Sequence, residues 1–154
     1  MFCNSMEFML LQELTIQVHI GIYCHLFQKM PIKDNPLNNF DLIITDRGSK
    51  YSVSGAPAKS KAEAQKIVTD LKKNKRYAKA THNTWGLLLS EGGPIKNDDG
   101  EAGAGMVIIR MLEREEIKDH VIIVTRWFGG TQLGGDRFRR VQDCVRYYFD
   151  NVAL

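Results

Sequence analysis

The sequence predicts one domain that mixes amphipathic helices with short β-strands, and three stretches carry that expectation. Ser60 and Glu63 stand three apart around the start of an apolar stripe, Ala64, Ile67, Val68 and Leu71, so a capped helix begins there. Thr81 to Leu89 reads as a strand, with Trp85, Leu87 and Leu89 on one side. Val121 to Val124 is apolar without alternation, the pattern of a central strand covered on both faces.

The remaining elements follow in order. Residues 1–39 form an extension and linker of no assigned role, and residues 40–154 form the domain. Phe8 to Phe27 is apolar but interrupted by Gln12, Glu13, Gln17, His19 and His25, which argues against a spanning helix. With no Lys or Arg before Lys29 it also lacks the basic start of a secretory signal. Pro31 to Asn39 reads as linker from its prolines and asparagines. Asp41–Thr45 and Tyr51–Gly55 read as two strands around an Asp46-Arg47-Gly48 turn. Gly92-Gly93-Pro94 ends the Thr81–Leu89 strand, and a helix is expected from Gly105 to Glu116 with Ile108, Ile109 and Leu112 inward. A last helix opens at Asp136 with Phe138, Val141, Val145 and Tyr148 inside.

At 154 residues with 44% apolar and 25% charged side chains, the chain has the composition of one ordinary globular domain, not of a disordered or collagen-like one. Cys3, Cys24 and Cys144 are odd in number and far apart, so neither a disulfide framework nor a zinc site is suggested and a reducing compartment is expected. The net charge of +3 is unevenly spread. Residues 59–79 carry eight Lys/Arg against two acids, residues 91–119 four against eight, and residues 126–146 five against two. Two basic helices around an acidic middle can attract RNA or an acidic protein, or simply be solvated helix faces. Lys72, Lys73, Lys75 and Arg76 are the weak nucleic-acid candidates.

The richest chemistry lies in the run from Val121 to Phe138. A buried strand ends at Arg126, a turn with two glycine pairs follows, and a helix opens at Asp136. Backbone N–H groups at a helix start favour negative charge, and an arginine stands nearby. Glycine pairs also serve merely to close a tight connection.

Ala80-Thr81-His82-Asn83, Asp98-Asp99-Gly100-Glu101, and Arg126-Trp127-Phe128-Gly129-Gly130 with Leu133-Gly134 together resemble the Impact/YigZ family, over about residues 50 to 150. Gly135-Asp136-Arg137-Phe138 is more similar to the eukaryotic Impact branch. The resemblance implies an α+β fold, a four-stranded sheet with helices on one face, similar to the second domain of ribosomal small-subunit protein five and to domain four of elongation factor G. It also implies a cytoplasmic regulator of translation in the stress response, whose partner is a protein of the translational-control machinery or ribosome/RNA. Two departures bear on this. Residues 1 to 40 are too short for the RWD domain that Impact carries, and the chain stops before the second domain usual in YigZ proteins.

The binding candidates are His82, Asn83, Asp98, Asp99, Glu101, Arg126, Trp127, Gly129, Gly130, Gly134 and Gly135. Asp98, Asp99 and Glu101 supply the oxygen ligands a magnesium ion wants, but suit a turn and helix start equally, and no metal or cofactor is expected. His82 has no neighbouring nucleophile to activate, so no catalytic residue is assigned. Arg126 can fork onto a partner's carboxylate or phosphate, or pair with one of the three acids and pin two loops together. The preferred reading is binding without catalysis. The alternative is a small hydrolase or phosphate-ligand enzyme using the same cleft, and the oligomeric state is left open.

Overall fold

The computed structural model describes residues 37–154, so most of the expected extension, with Cys3 and Cys24, lies outside the described residues. The elements run β1 (Asn38–Asp46), β2 (Ser49–Pro57), α1 (Lys61–Lys72), α2 (Lys75–Ala78), β3 (His82–Leu89), β4 (Gly93–Asn97), α3 (Ala104–Arg114), β5 (His120–Trp127) and α4 (Asp136–Asn151). The strands form one sheet in the order β1-β2-β5-β3-β4, with each neighbouring pair antiparallel. The α+β expectation holds.

The sheet has five strands where four were expected. The extra one is β4, which pairs back on β3 from Leu89↔Gly93 to Trp85↔Asn97. Gly92 and Gly93, at φ of 116° and 77°, do make a turn, but the chain reverses through it and continues as an edge strand. Pro94 is tolerated there because an edge strand has one side free of ladder bonds. Asn38 and Asn39, read as linker, are the first residues of β1, and the Asn39 carboxamide oxygen accepts from Ser54 Oγ at 2.7 Å.

The last strand in the chain is the middle strand of the sheet. Val121 and Ile123 join Trp85 and Leu87 under Ala64, Val68 and Leu71 of α1 and Tyr77 of α2. Ile122 and Val124 join Tyr51 and Val53 under Ile108 and Leu112 of α3 and Val141, Val145 and Tyr148 of α4. Helices therefore cover both faces of the sheet. The single-faced arrangement holds only for α3 and α4, because both parities of β5 are apolar and each needs a cover.

The α1 cap forms nearly as read. Ser60 Oγ accepts from Glu63 N at 3.1 Å, while the Glu63 carboxylate reaches Lys59 N at 2.7 Å, one residue before the expected donor. Among the described residues no helix is long and apolar enough to cross a membrane.

Candidate functional site

Side-chain parity along β5 sorts the candidates. Arg126 follows Ile122 and Val124 onto the α3/α4 face, whereas Trp127 follows Val121 and Ile123 onto the other. On β3, whose His82 lies opposite Arg126, the same rule separates His82 from Asn83.

Arg126 is buried, with 7% of its side chain exposed, and its guanidinium pairs with the Glu101 carboxylate, itself 3% exposed. Nη2 also reaches Ser49 Oγ at 3.4 Å, and the group lies 5.7 Å from the ring centres of both Tyr51 and Phe128. Of the two roles left open for Arg126, the internal pairing is the one present. The Asp98 carboxylate accepts from Gly103 N at 3.1 Å and Gly105 N at 2.8 Å, so it caps α3, whose own cap residue Gly103 has no side chain to offer. Burial pushes its pKa up, but these N–H groups and the Lys96 ammonium outweigh that and hold it below the usual value. Asp99, at φ 46°, accepts from Asn83 N at 2.6 Å, and its carbonyl accepts from His82 Nδ1 at 2.8 Å. A carbonyl only accepts, so that bond puts a proton on Nδ1. The three acids thus turn to three different partners, and among the described residues no cluster of three His, Cys, Asp or Glu side chains is arranged to hold a metal.

Asn83 is buried, donating to Tyr77 O at 3.2 Å and accepting from Thr125 Oγ1 at 2.9 Å. Trp127 donates to Arg76 O at 3.1 Å and meets Tyr77 edge-on at 5.5 Å, so it closes the α2 side of the core. Gly129 is required by close approach: a Cβ there would lie 1.8 Å from the carbonyl carbon of Gly48. Gly130 and Gly134 shape the turn with φ of 88° and 56°, while Gly135 meets neither crowding nor a positive φ. Three of the weak basic candidates are in ion pairs, Lys72 with Asp99 (3.6 Å), Lys73 with Asp70 (2.6 Å) and Arg76 with Asp41 (3.2 Å); Lys75 is exposed.

At this end of the sheet a hollow of about 370 Å³ opens between three loops and the first turn of α4. Of the binding candidates, His82, Glu101, Arg126 and Gly134 line it. Asn83, Asp98, Asp99, Trp127, Gly129, Gly130 and Gly135 do not; several of them hold the lining residues in place. Thr81, Gln132, Leu133 and Arg137 also line it and were not read from the sequence as site residues; so does Phe128, which the sequence offers with Trp127 as a ring to stack on a base or anchor a partner but which stands outside the binding candidates. Among the described residues Phe128 is the most exposed aromatic, at 47%, and it had a legible signal: an aromatic between a buried strand and a glycine pair. Its position is fixed on both sides, since Phe128 N donates to Thr81 Oγ1 at 2.9 Å and Gly129 N to Ser49 Oγ at 3.2 Å.

Residues 47–149 match the family model described as the Impact N-terminal domain. The chain belongs to that family. It is 34% identical over 108 residues to Protein IMPACT-A of Xenopus tropicalis, covering 67% of this chain and 34% of that protein. It is 34% identical over 111 residues to the Protein IMPACT homolog of Caenorhabditis elegans, covering 68% of this chain and 43% of that protein. The chain therefore spans well under half the length of these Impact proteins. A solved structure described as "Crystal structure of an hypothetical protein" matches with a TM-score of 0.67 at 17% identity, over 79% of this chain and 63% of that one. That likeness concerns the Impact domain's fold. The hollow, bounded by Thr81, Arg137 and the residues between, lies wholly within the family match.

Proposed function

We propose that this Impact domain is a cytoplasmic binding module of translational control in the stress response, and that the hollow at the end of β5 is where it takes hold of its partner. Membership of the Impact family supports the first half, since the family's likeness implies a translational regulator. The partner in this reading is a protein of the translational-control machinery, with ribosome or RNA as the second candidate.

The observation that carries the site is Phe128. An exposed ring on a backbone pinned at Phe128 N and Gly129 N, lining a concave wall that Arg137 also lines, has the make-up of an interface anchor. Little main-chain freedom is lost when such a segment is covered. The chemistry of the lining supports binding over hydrolysis. Arg126 is already neutralised by Glu101, Thr81 Oγ1 is engaged by Phe128 N, and His82 Nδ1 is turned to a carbonyl. No hydroxyl or thiol in the lining is hydrogen-bonded to His82 as an activated nucleophile would be.

Arg126→Ala and Gly129→Ala are unsuited to testing this, because the first strands a buried carboxylate and the second drives a Cβ into backbone. Phe128→Ala removes no contact of the apolar core, and Arg137→Glu gives up only surface contacts of the guanidinium with the Gly134 carbonyl and the Phe138 ring. Tagged chains carrying either change are expected to recover far less of the translational-control proteins or ribosomes that the unaltered chain retrieves from extract, with an unchanged unfolding midpoint. Equal recovery by both variants would remove the hollow as the contact site.

A further inference from the structure

Away from the hollow, the seam between α3 and α4 carries charge that the fold does not use. Arg110 and Arg114 of α3 and Arg146 and Gln142 of α4 line a second cavity of about 150 Å³, floored by Val107 and Met111. No acidic side chain lines it. Among the described residues Arg110 and Arg146 make no ion pair or side-chain hydrogen bond, and Arg114 has only its neighbour Glu115, at 3.5 Å and with both side chains half exposed or more. Arg139 extends the stripe one turn toward the start of α4 and is also exposed.

The contrast with α1 is informative. There the cations are lysines, and those toward its C-terminal end are tied to acids of the fold, Lys66 and the cap residue Lys73 to Asp70 and Lys72 to Asp99; Lys61 at its start is exposed. Every cation on α3 and α4 is an arginine. Arginine and methionine with lysine excluded is the composition of a protein interface, not of a merely solvated helix surface. A guanidinium also matches a carboxylate with two parallel hydrogen bonds.

The apolar floor selects among anionic partners. A nucleic-acid backbone has nothing to place on Val107 and Met111, whereas a peptide has an apolar side chain. We infer that the α3/α4 seam docks an acidic peptide segment whose carboxylates pair with Arg110, Arg114 and Arg146 around one apolar side chain seated on Val107 and Met111. This surface shares no residue with the hollow and does not depend on its role.

The test is fluorescence anisotropy of the full chain with a short labelled peptide of Glu-Leu-Glu repeats. Saturable binding is expected, weakening as salt rises, and roughly tenfold weaker for Arg110→Glu and for Arg146→Glu, about 1.4 kcal/mol each. Both positions are exposed and unpaired, so the unfolding midpoint should not move. Replacing the peptide leucines with serine should weaken binding by a similar factor. Phe128→Ala should leave it intact, which separates this surface from the hollow. The inference is overturned if the peptide does not bind, if either charge reversal or the serine peptide binds like its parent, or if labelled oligouridylate binds more tightly than the peptide and loses affinity on the same reversals.

Discussion

Arg126 and Glu101 keep only 7% and 3% of their side-chain surface in water, and that fact governs what can be done with either. Removing two charges from water costs several kcal/mol per ion, which their attraction and added hydrogen bonds must offset. Here the offset is partial, since Arg126 Nε has no hydrogen-bond partner. Such a pair specifies geometry more than it adds stability, and it ties the end of β5 to the loop that leads into α3. Arg126→Ala leaves Glu101 buried without a counter-charge and is expected to cost about 3–5 kcal/mol in denaturant unfolding. Arg126→Met combined with Glu101→Leu should cost clearly less than the single change, because no lone charge remains inside. A single variant as stable as the unaltered chain would mean that water reaches Glu101 and that the pair is not the buried tie described.

At the scale of the element, α3 ends in a closure with an uncommon residue at its key position. Ile117 N donates to Leu112 O at 2.9 Å and Glu116 N to Glu113 O at 3.2 Å, with Glu116 at φ 55°. This is the Schellman pattern, in which the left-handed residue is usually glycine. Glu116→Gly should therefore raise stability by about 1 kcal/mol, the left-handed penalty of a side chain less the entropy glycine loses on folding. An unchanged or lowered midpoint in thermal unfolding would count against that assignment. What sequence shows of such elements depends on period and punctuation. The Ser60–Leu71 stripe, the start of α4 at Asp136 and the two-faced apolar run of β5 were legible because each repeats a physical pattern over several residues. Strand β4 was not, because Gly92-Gly93-Pro94 marks a turn and says nothing about whether the chain pairs beyond it. The site motifs were legible as loops, yet the direction of each side chain was not. Parity could have supplied part of it: His82 and Arg126 fall on one face of the sheet, Asn83 and Trp127 on the other.

At the scale of the whole described domain, Tyr148 is the lock at the end opposite the hollow. Its hydroxyl lies 2.8 Å from His120 Nε2 on β5 and 3.5 Å from the Asn38 side-chain amide on β1, joining α4 to an edge strand and to the central one. The ring fits against β2 only because residue 55 is glycine; a Cβ there would come within 2.5 Å of it. Asn38 Nδ2 donates to the tyrosine hydroxyl, whose own proton is then free to be given to Nε2 of a neutral His120. Burial, with 8% of the residue exposed, lowers the His120 pKa from 6.5 to about 4. In the unfolded chain the imidazole takes up a proton below its ordinary value, while the folded one refuses it until about pH 4. The contribution of neutral His120 is thus complete above pH 6.5 and is lost as pH falls through the window down to about 4, with a slope approaching 1.4 kcal/mol per pH unit. Asp98 and Asp119 are both held below their ordinary 3.8, so their losses begin lower and do not fill this window. His120→Gln keeps an acceptor for Tyr148 and removes the titration. Unfolding free energies measured across the window should fall with acid in the unaltered chain and stay nearly level in the variant. Parallel slopes for the two proteins would show that the acid sensitivity resides in some group other than His120.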